Sequence, residues 1–177
     1  MLRKCLDCID PYCPGKPIDE VKRELGLDEV YKLASNENPL GPPESAVEAM
    51  RTAAGKVSLY PDANAYDLRM ALAKKHGVAP GEIVFGDGSN ELLKLLSLIF
   101  LNPGDEIIIP QPSFGEYVRT ATLCGAKAKA IPLNEHYAVD LPSMVAAIGS
   151  KTKMIYICNP NNPTGTVVDK KLLKQMM

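Results

Sequence analysis

From about residue 80 onward, short apolar runs alternate with longer amphipathic stretches. EIIIP at Glu106–Pro110 is a compact apolar run and reads as a buried strand. Glu82–Phe85, Ala126–Pro132 and Lys153–Cys158 read as further strands. Between them the spacing predicts helices at Ser89–Leu101, Phe114–Leu123 and Leu141–Ile148, with a last one starting near Asp169. Strand and helix in alternation is the order of an α/β sheet with crossover connections. Such sheets bind ligands beyond the carboxyl ends of their strands, so the loops after Phe85, Ile109 and Cys158 are the places to look for chemistry.

The first 40 residues differ. Pro11, Pro14, Gly15, Pro17, Pro39 and Gly41 break any long periodic element, leaving one short helix at Ile18–Leu25 with Gly26 as its stop. This stretch reads as an arm lying on something larger. Helices at Pro43–Ala54 and Ala65–His76 come next, stopped by Gly55 and Gly77.

Composition narrows the classes. The 177 residues allow one domain with a real core. Twenty Lys plus Arg against 21 Asp plus Glu leave a net charge of −1, so bulk charge favours neither nucleic acid nor a membrane surface. No apolar run approaches the ~20 residues of a membrane span, and the start MLRKCLDCIDPYCPGK has no signal-peptide core, so the expected location is cytoplasmic. Cys5, Cys8 and Cys13 form C-x2-C-x4-C, but His76 and His136 form no ligand-spaced pair; the expectation is free thiols and no metal.

Three loops then stand out. GDGSNE (86–91) opens a helix, whose free N–H groups and dipole suit a phosphate; Ser89 is expected to cap it. Taken alone, it is equally a plain strand-to-helix turn. QPSFGEY (111–117) brings Phe114 to where an aromatic either covers a planar ligand or packs on the core. NPNNPTG (159–165) is rigid backbone that cannot extend a sheet, and it can hold an Asn amide at a fixed point.

Together these residues resemble the fold-type I pyridoxal-phosphate (PLP) aminotransferases. DPYCPGK (10–16), KLASNENPLGPP (32–43) and SLYPD (58–62) make the resemblance more specific, to the histidinol-phosphate aminotransferases of histidine biosynthesis. It runs from about Asp10 to the end. The resemblance implies the aspartate aminotransferase-like α/β fold: residues 1–57 as N-terminal arm and small-domain segment, and 58–177 as the first part of the PLP-binding large domain, with helices on both sheet faces. It implies that Gly88, Ser89 and Asn90 hold the PLP phosphate and that Phe114, where relatives usually carry Tyr, stacks on the pyridine ring. Asn162 is implied to bond the 3-hydroxyl oxygen, with a cis peptide at Asn162-Pro163. Tyr60 is implied to reach the phosphate in the neighbouring subunit of a homodimer, Tyr12 the neighbour's substrate phosphate, and Asn36 the substrate. The implied substrates are L-histidinol phosphate and 2-oxoglutarate or glutamate.

In that family the Schiff-base lysine and the carboxylate facing the pyridine nitrogen come after NPNNPTG. Ser150-Lys151 is a decoy, placed before a strand rather than after it. The expectation is therefore an N-terminal portion without a catalytic residue, inactive by itself. Other readings are an aromatic or other class I/II aminotransferase, a phosphothreonine decarboxylase, and a non-catalytic truncated product.

Overall fold

The computed structural model describes residues 4–9 and 15–176. Tyr12 and Cys13 lie outside the described residues. The described residues fall into two compact units, one within Pro11–Val84 and the other within Met1–Asp10 and Phe85–Met177.

The unit within Pro11–Val84 contains α1 (Ile18–Leu25), α2 (Glu44–Ala54) and α3 (Tyr66–His76). Ala73 is its one buried hydrophobic among the described residues, while Leu33, Leu40, Val57 and Tyr60 stand almost wholly exposed. Pro17 and Pro43 precede α1 and α2, and Gly26, Gly55 and Gly77 follow the three helices.

The larger unit holds α4 (Gly88–Phe100), β1 (Glu106–Gln111), α5 (Glu116–Leu123), β2 (Lys127–Pro132), α6 (Leu141–Ala146), β3 (Thr152–Ile155) and α7 (Lys170–Met176). The sheet is parallel, in the order β2-β1-β3. The central strand is buried on both sides, and successive side chains serve opposite faces. Ile107 and Ile109 pack with Tyr117, Ala121 and Leu101 on the α4/α5 face. Ile108 packs with Leu141, Met144 and Val168 on the α6/α7 face. Fully burying one such isoleucine is worth about 1.5–3 kcal/mol. The sheet thus carries helices on both faces, as the sequence led one to expect.

Three differences from the sequence reading bear on the sheet and the loops beyond it. Glu82–Phe85 is not a strand: Pro80–Glu82 forms a 3-10 turn, closed by the Glu82 carboxylate accepting from the Ala79 N–H, and residues 83–85 join no strand ladder among the described residues. The Arg69 guanidinium takes up the Pro80 and Ile83 carbonyls instead. Second, β3 stops at Ile155, although the Tyr156 N–H still donates to the Ile108 carbonyl at 2.9 Å. The donor that would continue this pairing belongs to residue 110, two positions further on the same edge. It is proline and has no N–H. Third, α5 begins at Glu116, which leaves Phe114 in the preceding turn.

No helix among the described residues is long and apolar enough to cross a membrane.

Candidate functional site

The three loops singled out by sequence converge at one end of the sheet. A cleft of about 390 Å³ opens there, lined by Ser89, Leu92 and Leu93 of α4, Phe114 and Tyr117 beyond β1, and Cys158 and Asn162 beyond β3.

Backbone geometry shapes the α4 side. Gly88 sits at φ +76°, a left-handed conformation that strains any other residue. A Cβ on Gly86 would lie 2.9 Å from Leu92 Cδ2, so a side chain there would push the Leu92 tip aside. The expected Ser89 cap is not formed. The helix begins one residue earlier, and the Glu91 carboxylate accepts from the Asp87 N–H at its entry. Ser89 therefore lies inside the first turn, and no hydrogen bond engages its hydroxyl among the described residues. α4 runs 13 residues, long enough for a developed positive end. Asn90 lines a neighbouring hollow between α4 and α5, not this cleft.

The aromatic wall, Phe114 and Tyr117, is backed by a third ring, Tyr156. Phe114 meets Tyr117 edge-on, with centroids 5.7 Å apart at 85°. Tyr117 lies parallel to Tyr156 at 4.5 Å. Tyr156 in turn contacts the buried Ser97 hydroxyl at 3.4 Å, the one polar group that α4 turns into the core. Burial, with a hydrogen bond to the Cys158 thiol and the nearby Tyr156, holds the Tyr117 phenol above its ordinary range. Tyr117 is therefore neutral at any physiological pH.

A second wall is NPNNPTG, whose three asparagines have separate tasks. The Asn159 side chain accepts from the Val168 N–H at 3.0 Å and fixes the exit of the loop. Asn161 is buried and fully hydrogen-bonded. Asn162 faces the cleft, and its amide makes no hydrogen bond among the described residues. The Asn162-Pro163 peptide is cis, as are Asn159-Pro160 and Gln111-Pro112.

Of the residues named from sequence, Ser89, Phe114 and Asn162 thus share one cleft, with Gly88 next to Ser89 in the chain. Asn36 and Tyr60 belong to the other compact unit, where both are exposed. Lys151 lies in the turn leading into β3, at the opposite end of the strand from this cleft. Sequence reasoning missed Tyr117, Cys158 and Asn161. Tyr117 was recoverable from its spacing, one helical turn after Phe114. A flat wall, a helix N-terminus with a free hydroxyl and an unengaged amide can hold a planar, anionic, oxygen-bearing molecule.

The aminotransferase class I and II family model matches residues 28–177, and the chain belongs to that family. Within it, the chain is 50% identical over 170 residues to a histidinol-phosphate aminotransferase from Caldicellulosiruptor saccharolyticus, covering 96% of this chain and 47% of that protein. It is 48% identical over 171 residues to the enzyme of the same name from Moorella thermoacetica, covering 97% and 44%. The chain thus spans about half the length of these relatives. Its fold matches a crystal structure of histidinol-phosphate aminotransferase from Sinorhizobium meliloti in complex with pyridoxal-5'-phosphate. The TM-score is 0.87 at 23% identity, over 99% of this chain and 46% of that one.

Proposed function

We propose that the whole protein is a PLP-dependent aminotransferase that moves an amino group between L-histidinol phosphate and 2-oxoglutarate. The observation that carries the reading is near-50% identity, across almost the whole chain, to two relatives of that name, with the aromatic, amide and helix-terminus groups gathered in one cleft.

The residues fit the cofactor in kind. The α4 N-terminus with Gly88 and Ser89 is the anion-binding end, and Asn90 supplies its backbone there rather than a side chain in the cleft. Phe114 offers a flat apolar face to a pyridine ring. The Asn162 amide donates to a phenolic oxygen and favours its charged form. PLP, when bound, supplies an electron sink for the carbanion left by proton removal from the amino donor. What these residues add is orientation, an apolar wall against water and a fixed donor at one ring oxygen.

Tyr60 and Asn36 complete the site in a homodimer, Tyr60 at the cofactor phosphate of the adjacent subunit and Asn36 beside the substrate. Tyr12 recognises the substrate phosphate. The exposure of Tyr60 and Asn36 in this chain agrees with a surface that another subunit covers. The protein acts in the cytoplasm, without nucleic-acid or membrane partners.

The test is donor choice in the whole protein as its gene encodes it. Purified protein loaded with PLP is given L-histidinol phosphate or L-phenylalanine with 2-oxoglutarate, and glutamate formation is followed. The expected result is kcat/KM at least about tenfold higher for the phosphorylated donor, the value of one well-made charged contact. Preference for phenylalanine turns the reading to an aromatic aminotransferase. Carbon dioxide release from phosphothreonine without glutamate turns it to a decarboxylase.

A further inference from the structure

The cleft's two working walls stand on different loops: Phe114 comes after β1 and Asn162 after β3. One buried side chain joins them. Asn161 is 2% exposed. Its Oδ1 accepts from the Ser113 hydroxyl at 2.9 Å, and its Nδ2 donates to the Pro112 carbonyl at 3.2 Å. Both partners lie immediately before Phe114. The same Nδ2 donates to Thr164 Oγ1 at 2.8 Å, within its own loop.

The directions of these bonds are fixed by chemistry. The Thr166 hydroxyl donates to the Tyr137 carbonyl at 2.8 Å, so its oxygen accepts from Thr164 at 2.8 Å, and Thr164 accepts from Asn161. The protons run one way along Asn161, Thr164, Thr166 and Tyr137. A flipped amide would set its oxygen against the Pro112 carbonyl, oxygen facing oxygen. Asn161 therefore has one orientation, and a chain of like-directed bonds reinforces it. At the backbone, Asn161 also donates to the Thr166 carbonyl at 2.9 Å and accepts from the Gly165 N–H at 2.7 Å.

We propose that Asn161 is a positioning residue for the cofactor: its buried amide locks the loop before Phe114 to the loop carrying Asn162, and so sets the gap a planar ligand enters. The inference rests on the reading of this cleft as the PLP site. Asn161 touches no ligand itself. It acts by holding the stacking ring and the donating amide in register.

The test uses the whole protein, stripped of cofactor, with PLP affinity measured by titration of absorbance and thermal midpoints measured on the apo form. Ser113→Ala removes one of the two inter-loop bonds with least disturbance; that bond exists without ligand, so its own energy appears in the apo midpoint, and re-ordering the loosened loops on binding is expected to weaken PLP affinity about fivefold. Ser113→Thr keeps the hydroxyl and should stay within about twofold of the parent. Asn161→Ala is expected to weaken binding at least about tenfold. Once Asn161 is alanine, Ser113→Ala should add nothing, because the two residues act as one unit. Ile108→Val, a core change on the opposite sheet face, lowers the apo midpoint but leaves affinity unchanged; it separates positioning from general loosening. If Asn161→Ala does not fold, the two Ser113 variants still decide. A parent that binds PLP while Ser113→Ala binds equally tightly overturns the inference alone. A parent that does not bind PLP overturns the functional reading and the inference with it.

Discussion

Replacing Phe114 by alanine separates two contributions of one ring. Its edge-on contact with Tyr117, 5.7 Å between centroids, exists with and without a ligand. Such a pair is worth about 0.5–1.5 kcal/mol and cancels from the binding free energy. It shows instead as a lower melting temperature of the apo protein. The exposed face of Phe114 is the part a cofactor ring would cover. A planar heterocycle stacked on an aromatic side chain loses about 1–3 kcal/mol when that side chain becomes alanine. That corresponds to a PLP dissociation constant raised about 5- to 150-fold. Phe114→Tyr keeps the face and should stay within about twofold. Phe114→Leu keeps the apolar bulk without the flat face and should fall between. The assay is spectrophotometric PLP titration of the apo form of the whole protein, with circular dichroism to check that each variant is folded. A folded Phe114→Ala protein that binds within about twofold of the parent would refute the stacking role and leave Phe114 as core packing.

The same geometry yields three further expected outcomes. Cys158 lines the cleft, whereas Cys8 is exposed elsewhere; PLP should slow maleimide labelling of Cys158 severalfold without slowing Cys8, as read by peptide mass spectrometry, and equal protection of both would place the ligand elsewhere. Ile108→Ala removes three carbons from a side chain with no exposed surface and should cost about 2–5 kcal/mol in urea denaturation, while Leu98→Ala on the open face of α4 should cost under about 0.5 kcal/mol. Asp140 caps α6, its carboxylate accepting from the Ser143 hydroxyl at 2.6 Å and the Ser143 N–H at 3.1 Å, and these bonds hold it below the ordinary carboxylate range. A depressed folded-state pKa stabilises above the unfolded value of about 3.9, and that stability is lost as pH falls through the folded value. Asp140→Ala should therefore cost about 1 kcal/mol near neutral pH and progressively less below about pH 4, as read from denaturation midpoints; a pH-independent cost would mean that the charge is not what caps the helix.

The sequence exposes what repeats or punctuates and hides what depends on a distant partner. EIIIP needed only its own composition to read as the central strand, and Gly26 and Gly77 marked helix ends by themselves. Glu82–Phe85 looked equally strand-like, but a strand exists only where another lies beside it, and none is there among the described residues. Pro110 shortened β3 from the neighbouring strand, an effect invisible in the sequence of β3 itself. The same distinction runs through the cleft. Phe114 and Asn162 were legible because each sits in a recognisable loop. The work of Asn161 was not, because its neighbours in sequence match those of Asn162 and only burial tells the two apart. In a rigid loop with consecutive asparagines, the one that turns inward must satisfy every polar atom against protein, so it becomes the brace. The one that turns outward is left with an unengaged amide, and that amide is the one available to a ligand.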